Sequence, residues 1–275
     1  MAPFTASVIA KKRYFIIYFI LLWGSIIPPL LQFWLFWKIF NISELFFFAL
    51  LPLELLLFYL TLVFSSIILA KMILIVVNLF HKPQEGVFKR DSKNKDYSYW
   101  SLRSMIIKWP AWISHSFPVP WHDVILMKLF GVKTNFSNST FDGWVNCEFI
   151  EFGSNISVGQ GAIILSSMII GNYLIIKKVK IGDNVIIGSH SVISPGTIIG
   201  KNSILAAFSY TMVDQELEDD WVYIGIPAKK YKENQFTKTE KELKIKKKLG
   251  ASDKWESFIE KRERITLKDE KIETD

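Results

Sequence analysis

An aliphatic residue returns at every sixth position from Ile181 onward: Ile181, Ile187, Ile193, Ile199 and Leu205. The segments read IGDNVI, IGSHSV, ISPGTI, IGKNSI and LAAFSY. A helix repeats its apolar residues every three or four positions and a half-buried strand every two, so a period of six fits neither alone. It fits short strands joined by angled turns and wound into a parallel β-helix, three hexads to a coil of about 18 residues. The first residue of each hexad then points inward and stacks on its counterpart one coil away. Ile181 is expected under Ile199, and Ile187 under Leu205. Gly182, Gly188 and Gly200 follow inward residues and are read as relief for corners of positive φ. Asn184 and Asn202 fall at equivalent turns, where asparagine tolerates the left-handed region. Ile186, Val192, Ile198 and Ile204 precede the inward residues. They face out and call for cover by a second copy or another part of the chain.

Upstream the beat runs through Phe152, Val158, Ile164, Ile170 and Ile176, all read as inward. One five-residue step, Ile176 to Ile181, is read as a tightened or bulged corner. The coils are thus expected from about Thr134 to Met212. After Leu205 the hexads decay into the acidic turn Asp214–Asp220, and WVYIGIPAKKY closes the stack, with Pro227 stopping further ladder pairing.

The first part of the chain is of another kind. From Tyr14 to Trp37 it is almost wholly apolar, longer than the roughly 20 residues that span a bilayer core; a signal peptide is the second reading, against which stand the length of the run and the lack of a small-residue cleavage site after it. Pro28 and Pro29 are expected to kink or break that helix. After a polar turn at residues 41–44, with Ser43 as helix cap, a second apolar run reaches from Leu45 to Phe80. It is read as spanning to about Ala70, with Lys71 snorkelling at the interface. Glu54 lies within it, either as a functional group of the membrane part or as a carboxyl paired with a helix neighbour. Lys11, Lys12 and Arg13 precede the hairpin, and Lys82, Lys89 and Arg90 follow it. The positive-inside rule then puts both termini and the β-helix in the cytoplasm. The stretch Asp96–Phe130 mixes Tyr97, Tyr99, Trp100, Trp109, Trp112 and Trp121 with Arg103 and Lys108, a composition suited to the lipid headgroup region.

Charge separates these parts. Of the net +7, residues 1–80 carry +3, 81–130 carry +4, 131–227 carry −4 and the tail +4. The basicity belongs to the membrane-facing and terminal segments. It argues for an anionic lipid surface as neighbour and against nucleic acid. The single cysteine, Cys147, excludes an intramolecular disulfide, and no closely spaced histidines suggest a metal site. The expected organisation is therefore a membrane α plus β protein. A leader and two-helix transmembrane hairpin occupy 1–93, an interfacial aromatic/basic connector 94–133, the β-helix 134–228 and a charged C-terminal tail 229–275. Within the tail, Trp255, Phe258 and Ile259 stand at helical spacing.

The hexads and the closing GIPAKKY resemble the hexapeptide-repeat acyltransferase superfamily. The resemblance covers Thr134 to Lys230. It implies a left-handed β-helix, a homo-oligomer (trimer or dimer), and acyl transfer from a thioester donor, acyl-CoA or carrier-bound, to a small amine or hydroxyl acceptor without a metal. YSYWSLRSMIIKW and PWHDVILMKLFGVK, leading into the coils, look like the membrane-embedded β-helical modules of ε-poly-lysine-synthetase-type nonribosomal peptide synthetases. That resemblance runs from about Tyr97 to Lys229 and implies an aminoacyl donor. Where the family carries a histidine after Gly161-Ala162, this chain has Ser167, which cannot hold a proton at neutral pH as imidazole does. Glu148 falls where the family tends to carry an acid, and either orients or accepts a proton or is a solvated edge carboxylate. His190, in the turn of IGSHSV, is a base facing the subunit groove or a plain turn residue. His115 and His122 stand in the membrane-proximal break, either as plain interfacial histidines, the commoner case, or within reach of a substrate arriving from the bilayer. Lys229 and Lys230 are the candidate binders of the donor. The competing reading is a catalytically degenerate β-helical scaffold that oligomerises and recruits a partner at the membrane.

Overall fold

The computed structural model describes residues 10–40, 44–115, 122–140 and 143–234. The chain forms two compact units, Met1–Lys232 and Glu233–Asp275, and everything below concerns the first. Residues 1–9, the turn with Ser43, Trp121 and the tail with Trp255, Phe258 and Ile259 lie outside the described residues, as does the side chain of His122.

Two long apolar helices come first, α1 (Tyr14–Phe40) and α2 (Glu44–Phe80). The break expected at Pro28–Pro29 does not occur: α1 is one helix through both prolines. Each proline removes a backbone donor, but α1 is held along α2 on either side of the gap. Ser65 Oγ donates to the Ser25 carbonyl at 2.6 Å, and Gly24 lies so close to Leu69 that a Cβ there would stand 2.6 Å from Leu69 Cδ2. A polar seam runs between the two helices. Gln32 Nε2 donates to Glu54 Oε1 at 3.1 Å and Thr61 Oγ1 donates to Gln32 Oε1. Glu54 is thus buried and paired with a helix neighbour. The opposite faces are apolar and exposed, with Phe15, Trp23, Trp34, Leu45 and Phe46 among them.

A short strand β1 (Gly86–Lys89) and two helices, α3 (Lys95–His115) and α4 (His122–Phe130), connect this hairpin to the coils. Both helices are tied to the first two. Trp109 Nε1 donates to Ser25 Oγ at 3.0 Å, and Tyr59 OH to the Ile113 carbonyl at 2.7 Å. Lys71, expected to reach a lipid interface, instead donates to the Leu129 carbonyl at 2.5 Å, near the end of α4. Tyr97 and Trp100 are buried in protein, whereas Trp112 is exposed.

The remaining strands are β2 (Ser139–Thr140), β3 (Trp144–Val145), β4 (Ile150–Phe152), β5 (Ser157–Val158), β6 (Ile163–Ile164), β7 (Ser167–Ile170), β8 (Tyr173–Ile176), β9 (Val179–Ile181), β10 (Ile186–Ile187), β11 (Val192–Ile193), β12 (Ile198–Ile199), β13 (Ile204–Leu205), β14 (Glu216–Leu217), β15 (Trp221–Ile224) and β16 (Lys229–Glu233). Most form the three faces of a parallel β-helix, with strand orders β16-β15-β13-β10-β5-β2, β14-β12-β9-β4 and β11-β6-β3. Ile181 pairs with Ile199 and Ile187 with Leu205, as the hexads require. These side chains are buried and form one core with apolar residues of all four helices. The small residues of the hexads, Ser191, Thr197, Ser203 and Ser209, are buried as well. Their hydroxyls bond inside, as Ser191 Oγ does to the Gly188 carbonyl at 2.6 Å, so the polar atoms are not stranded.

The corners differ from expectation. Left-handed φ falls not at Gly182, Gly188 and Gly200 but on Asn155, Asn184, Asn202 and Asp220 along one edge, at 55–62°. Asn184 Nδ2 donates to Asn202 Oδ1 at 3.0 Å, and Asn202 Nδ2 to Asp220 Oδ1 at 3.0 Å, so the edge is a ladder of amides. The glycines serve close approach between coils: a Cβ on Gly188 would stand 2.3 Å from the Ala207 nitrogen.

One coil is interrupted. From Asn184 to Asn202 the step is 18 residues, whereas Asn155 to Asn184 takes 29. Phe152–Ile181 and Ile164–Ile193 pair across the same longer step. The excess leaves the coil as an antiparallel hairpin, β7–β8, to which β1 adds as a third strand. Ile170, expected inside, is therefore 49% exposed near the hairpin turn. Ile176 is buried, but in a small satellite core with Tyr97, Trp100 and Leu174. The five-residue step after Ile176 is the return from this excursion, not a tightened corner.

Candidate functional site

Helix α3 lies across the start of the coils and leaves a groove between itself, the edge strand β3 and the base of the β7–β8 hairpin. Its larger cavity, about 70 Å³, brings Glu148 and Ser167 together, with Ser104, Lys108 and Asn146 in the same wall and Trp100 and Ile176 beside them. Ser167 opens β7, where the chain leaves the coil, and its Oγ accepts a hydrogen bond from Asn146 Nδ2 at 3.0 Å. Glu148 follows β3. Its Oε1 accepts from Arg103 Nε at 2.5 Å, and Arg103 Nη1 also reaches the His81 carbonyl at 3.4 Å. Arg103, in the middle of α3, is 2% exposed. Burial pushes the Glu148 carboxyl up from the usual carboxylate range, and the Arg103 guanidinium pulls it back part of the way. Neighbouring Cys147 is pushed up to about 12 by burial and by the Glu148 charge, so its sulfur is no nucleophile.

Further along α3 the groove opens into a smaller cavity of about 30 Å³. Ile107, Trp144 and Val145 line both cavities, so the two are neighbouring ends of one groove. Ile107, Ala111 and His115, four residues apart, share the helix face that meets the smaller one. His115 is the last residue of α3, and Asp123 stands in the first turn of α4. His115 Nδ1 lies 3.6 Å from Asp123 Oδ1, within ion-pair reach though longer than a hydrogen bond. Thr140 Oγ1 donates to the other carboxylate oxygen at 3.4 Å. Trp144 Nε1, between the cavities, is buried with no hydrogen-bond partner.

Three candidates lie elsewhere. His190 sits at a corner with φ 56°. Its ring stacks on Phe208 at 5.2 Å and 11°, and on the other side a Cβ at Gly161 would stand 3.0 Å from it. Glycine at 161 thus leaves room for the ring, which borders neither cavity. Lys230 Nζ donates to Glu218 Oε2 at 2.6 Å and lies 3.9 Å over the Trp221 ring. Lys229 is exposed in β16. Among the described residues no three His, Cys, Asp or Glu side chains converge.

The Arg103–Glu148 pair escaped sequence reading because 45 residues separate its members. Asp123 had a visible signal, its place beside His122 in PWHD, but its partner proved to be His115 across the α3–α4 connection.

Residues 178–211 match the family described as bacterial transferase hexapeptide, six repeats. No curated protein matches the chain. Solved structures similar to it include a point variant of AntD, an N-acyltransferase from Bacillus cereus, in complex with dTDP-4-amino-4,6-dideoxyglucose and coenzyme A. It is 24% identical, with 34% of this chain and 58% of that chain covered and a TM-score of 0.30. The chain therefore spans little more than half of that protein. A galactoside acetyltransferase in complex with coenzyme A is 20% identical over 48% of this chain and 80% of its own, with a TM-score of 0.36. A maltose O-acetyltransferase from Clostridium difficile 630 is 18% identical over 46% and 83%, with a TM-score of 0.36.

Proposed function

We propose that this protein is a membrane-anchored transferase that moves an acyl or aminoacyl group from a thioester, acyl-CoA or carrier-bound, to an amine or hydroxyl acceptor. The observation that carries the reading is the cavity joining Glu148 and Ser167, set in a chain whose segment 178–211 matches transferase hexapeptides. An apolar cleft with a few convergent polar groups and a perturbed carboxyl is the expected form of a small-molecule site. Its volume is far below the several hundred Å³ that enclose a whole ligand. It takes one end of the acceptor and leaves the bulk of a CoA or carrier outside, along the coil faces. Glu148, fixed by Arg103, accepts a hydrogen bond from the acceptor, and the Ser167 hydroxyl holds a second polar atom.

The anchor is the α1–α2 hairpin. At about 1.5 Å per residue, α1 is about 40 Å long and α2 about 55 Å, both more than a ~30 Å hydrocarbon core. Lys11, Lys12 and Arg13 before it and Lys82, Lys89 and Arg90 after it favour a cytoplasmic β-helix. The left-handed sense of the coil, a homo-oligomer, and kinship with ε-poly-lysine-synthetase-type modules belong to the same proposal.

The test uses detergent-purified full-length protein with labelled acyl-CoA and carrier-bound aminoacyl thioesters and a set of amine and hydroxyl acceptors. Transfer by wild type, with a raised acceptor KM in Glu148→Gln, is the expected result. No transfer from any donor would overturn the reading. A stable oligomer without transfer would favour the scaffold, which the exposed Ile186, Ile198 and Phe208 also suit.

A further inference from the structure

We infer that His115, steered by Asp123, takes the proton that the acceptor loses, so that the helices supply the base which the coil lacks; this rests on the transfer reading above. At the Glu148 end of the groove, Ser167 and Glu148 are unsuited to that task. Ser167 is a hydroxyl. Protonating Glu148 would leave Arg103, 2% exposed, buried without its counter-charge. The next ionisable group along the groove that carries an imidazole is His115, in the wall of the adjoining cavity.

The surroundings of His115 suit a base. Asp123 faces Nδ1, and Thr140 holds the far oxygen of that carboxylate. With Nδ1 on the Asp123 side, Nε2 is the nitrogen to which the proton is assigned. The Asp123 charge and the C-terminal end of α3 both stabilise positive charge on the ring as it receives a proton. His115 lies seven residues beyond Lys108 and twelve beyond Arg103, the partner of Glu148, about 10–18 Å along the helix axis. The acceptor therefore has a polar head at the Glu148–Ser167 end and its reacting amine or hydroxyl about 10–18 Å away. The apolar stretch between them passes Ile107, Trp144 and Val145.

The step balances without a further reactant. The acceptor nitrogen or oxygen bonds to the thioester carbon while its proton passes to His115 Nε2. The carbon–sulfur bond then breaks, and the imidazolium returns the proton to the departing sulfur. An amide or ester and a thiol result.

Transfer is measured on full-length protein in detergent, for wild type, His115→Ala, Asp123→Asn, His190→Ala and Glu148→Gln. His115→Ala is expected to lower kcat by about 10²–10⁴-fold with acceptor KM held within about threefold, and free imidazole is expected to restore part of the rate. Asp123→Asn is expected to lower kcat less, also without a change in KM, and to gain nothing from imidazole. Glu148→Gln shifts KM instead. The inference is overturned if His115→Ala keeps the wild-type kcat, if its loss is not rescued by imidazole, or if the loss appears in His190→Ala instead. Transfer by wild type with undiminished His115→Ala overturns this inference alone; absence of transfer in wild type overturns both.

Discussion

Replacing Arg103 by Met should destabilise the protein strongly, and replacing its partner as well should restore it. Arg103 is 2% exposed on its side chain and Glu148 19%, with 2.5 Å between them. Breaking a buried pair by removing one member costs about 3–5 kcal/mol, because the other charge stays buried and unpaired. Glu148 retains some contact with solvent, which places Arg103→Met at the lower end, about 3 kcal/mol. For a chain of this size that lowers the melting temperature by about 6–12 °C. Arg103→Met combined with Glu148→Leu removes both charges and is expected within about 1 kcal/mol of wild type. The pH dependence has a definite sign. Burial already holds the folded-state Glu148 carboxyl above its ordinary value of 4.5, and loss of Arg103 raises it further. The folded variant then binds that proton more tightly than the unfolded chain does, so its stability falls as pH rises from about 4.5 through the raised value. Below that window the carboxyl is protonated in both states and the penalty vanishes. Intrinsic tryptophan fluorescence followed against temperature and denaturant, at about pH 4 and about pH 7, gives the comparison. An Arg103→Met variant within about 0.5 kcal/mol of wild type at neutral pH, or a double variant no better than the single, would refute the reasoning.

Two further outcomes follow from burial. Ile199→Ala, in a stack between Ile181 and Leu217, should cost about 2–5 kcal/mol, whereas Ile198→Ala, 39% exposed, should cost at most about 1 kcal/mol. Denaturant melts read both, and a larger loss at Ile198 would mean that another copy covers that face. Cys147, held at about 12, should resist alkylation in the folded protein at about pH 8, where its thiolate fraction is on the order of 10⁻⁴. It should react on the order of 10³-fold faster after unfolding, and labelling at equal rates would show that the thiol is not buried.

The coils were legible because a six-residue period has one simple structural solution, and Ile181 over Ile199 follows from it at once. Asn184 and Asn202 were legible too, since few side chains accept a left-handed corner. The hairpin was not. Ile170 and Ile176 keep the period of six by coincidence while the chain has left the coil, and a periodic pattern cannot reveal that its members no longer share a core. Gly182, Gly188 and Gly200 were misread for a related reason. Glycine answers two needs, positive φ and close approach, and only the neighbouring coil tells which applies.

The groove lay beyond the hexad argument altogether, because no single element of the chain makes it. Strand β1, just after α2, pairs with the hairpin; α3 covers the hairpin with Tyr97 and Trp100; Arg103 bridges the His81 carbonyl and Glu148. The cavity wall is thus assembled from the connecting helix, the edge strand β3 and one interrupted coil, and the end of α2 and β1 brace it from behind. A regular coil of 18 residues in place of the 29-residue one would remove the hairpin side of that wall while leaving the β-helix core intact. The interruption is therefore tied to the cavity, and the same junction carries both Glu148 and the imidazole at the end of α3.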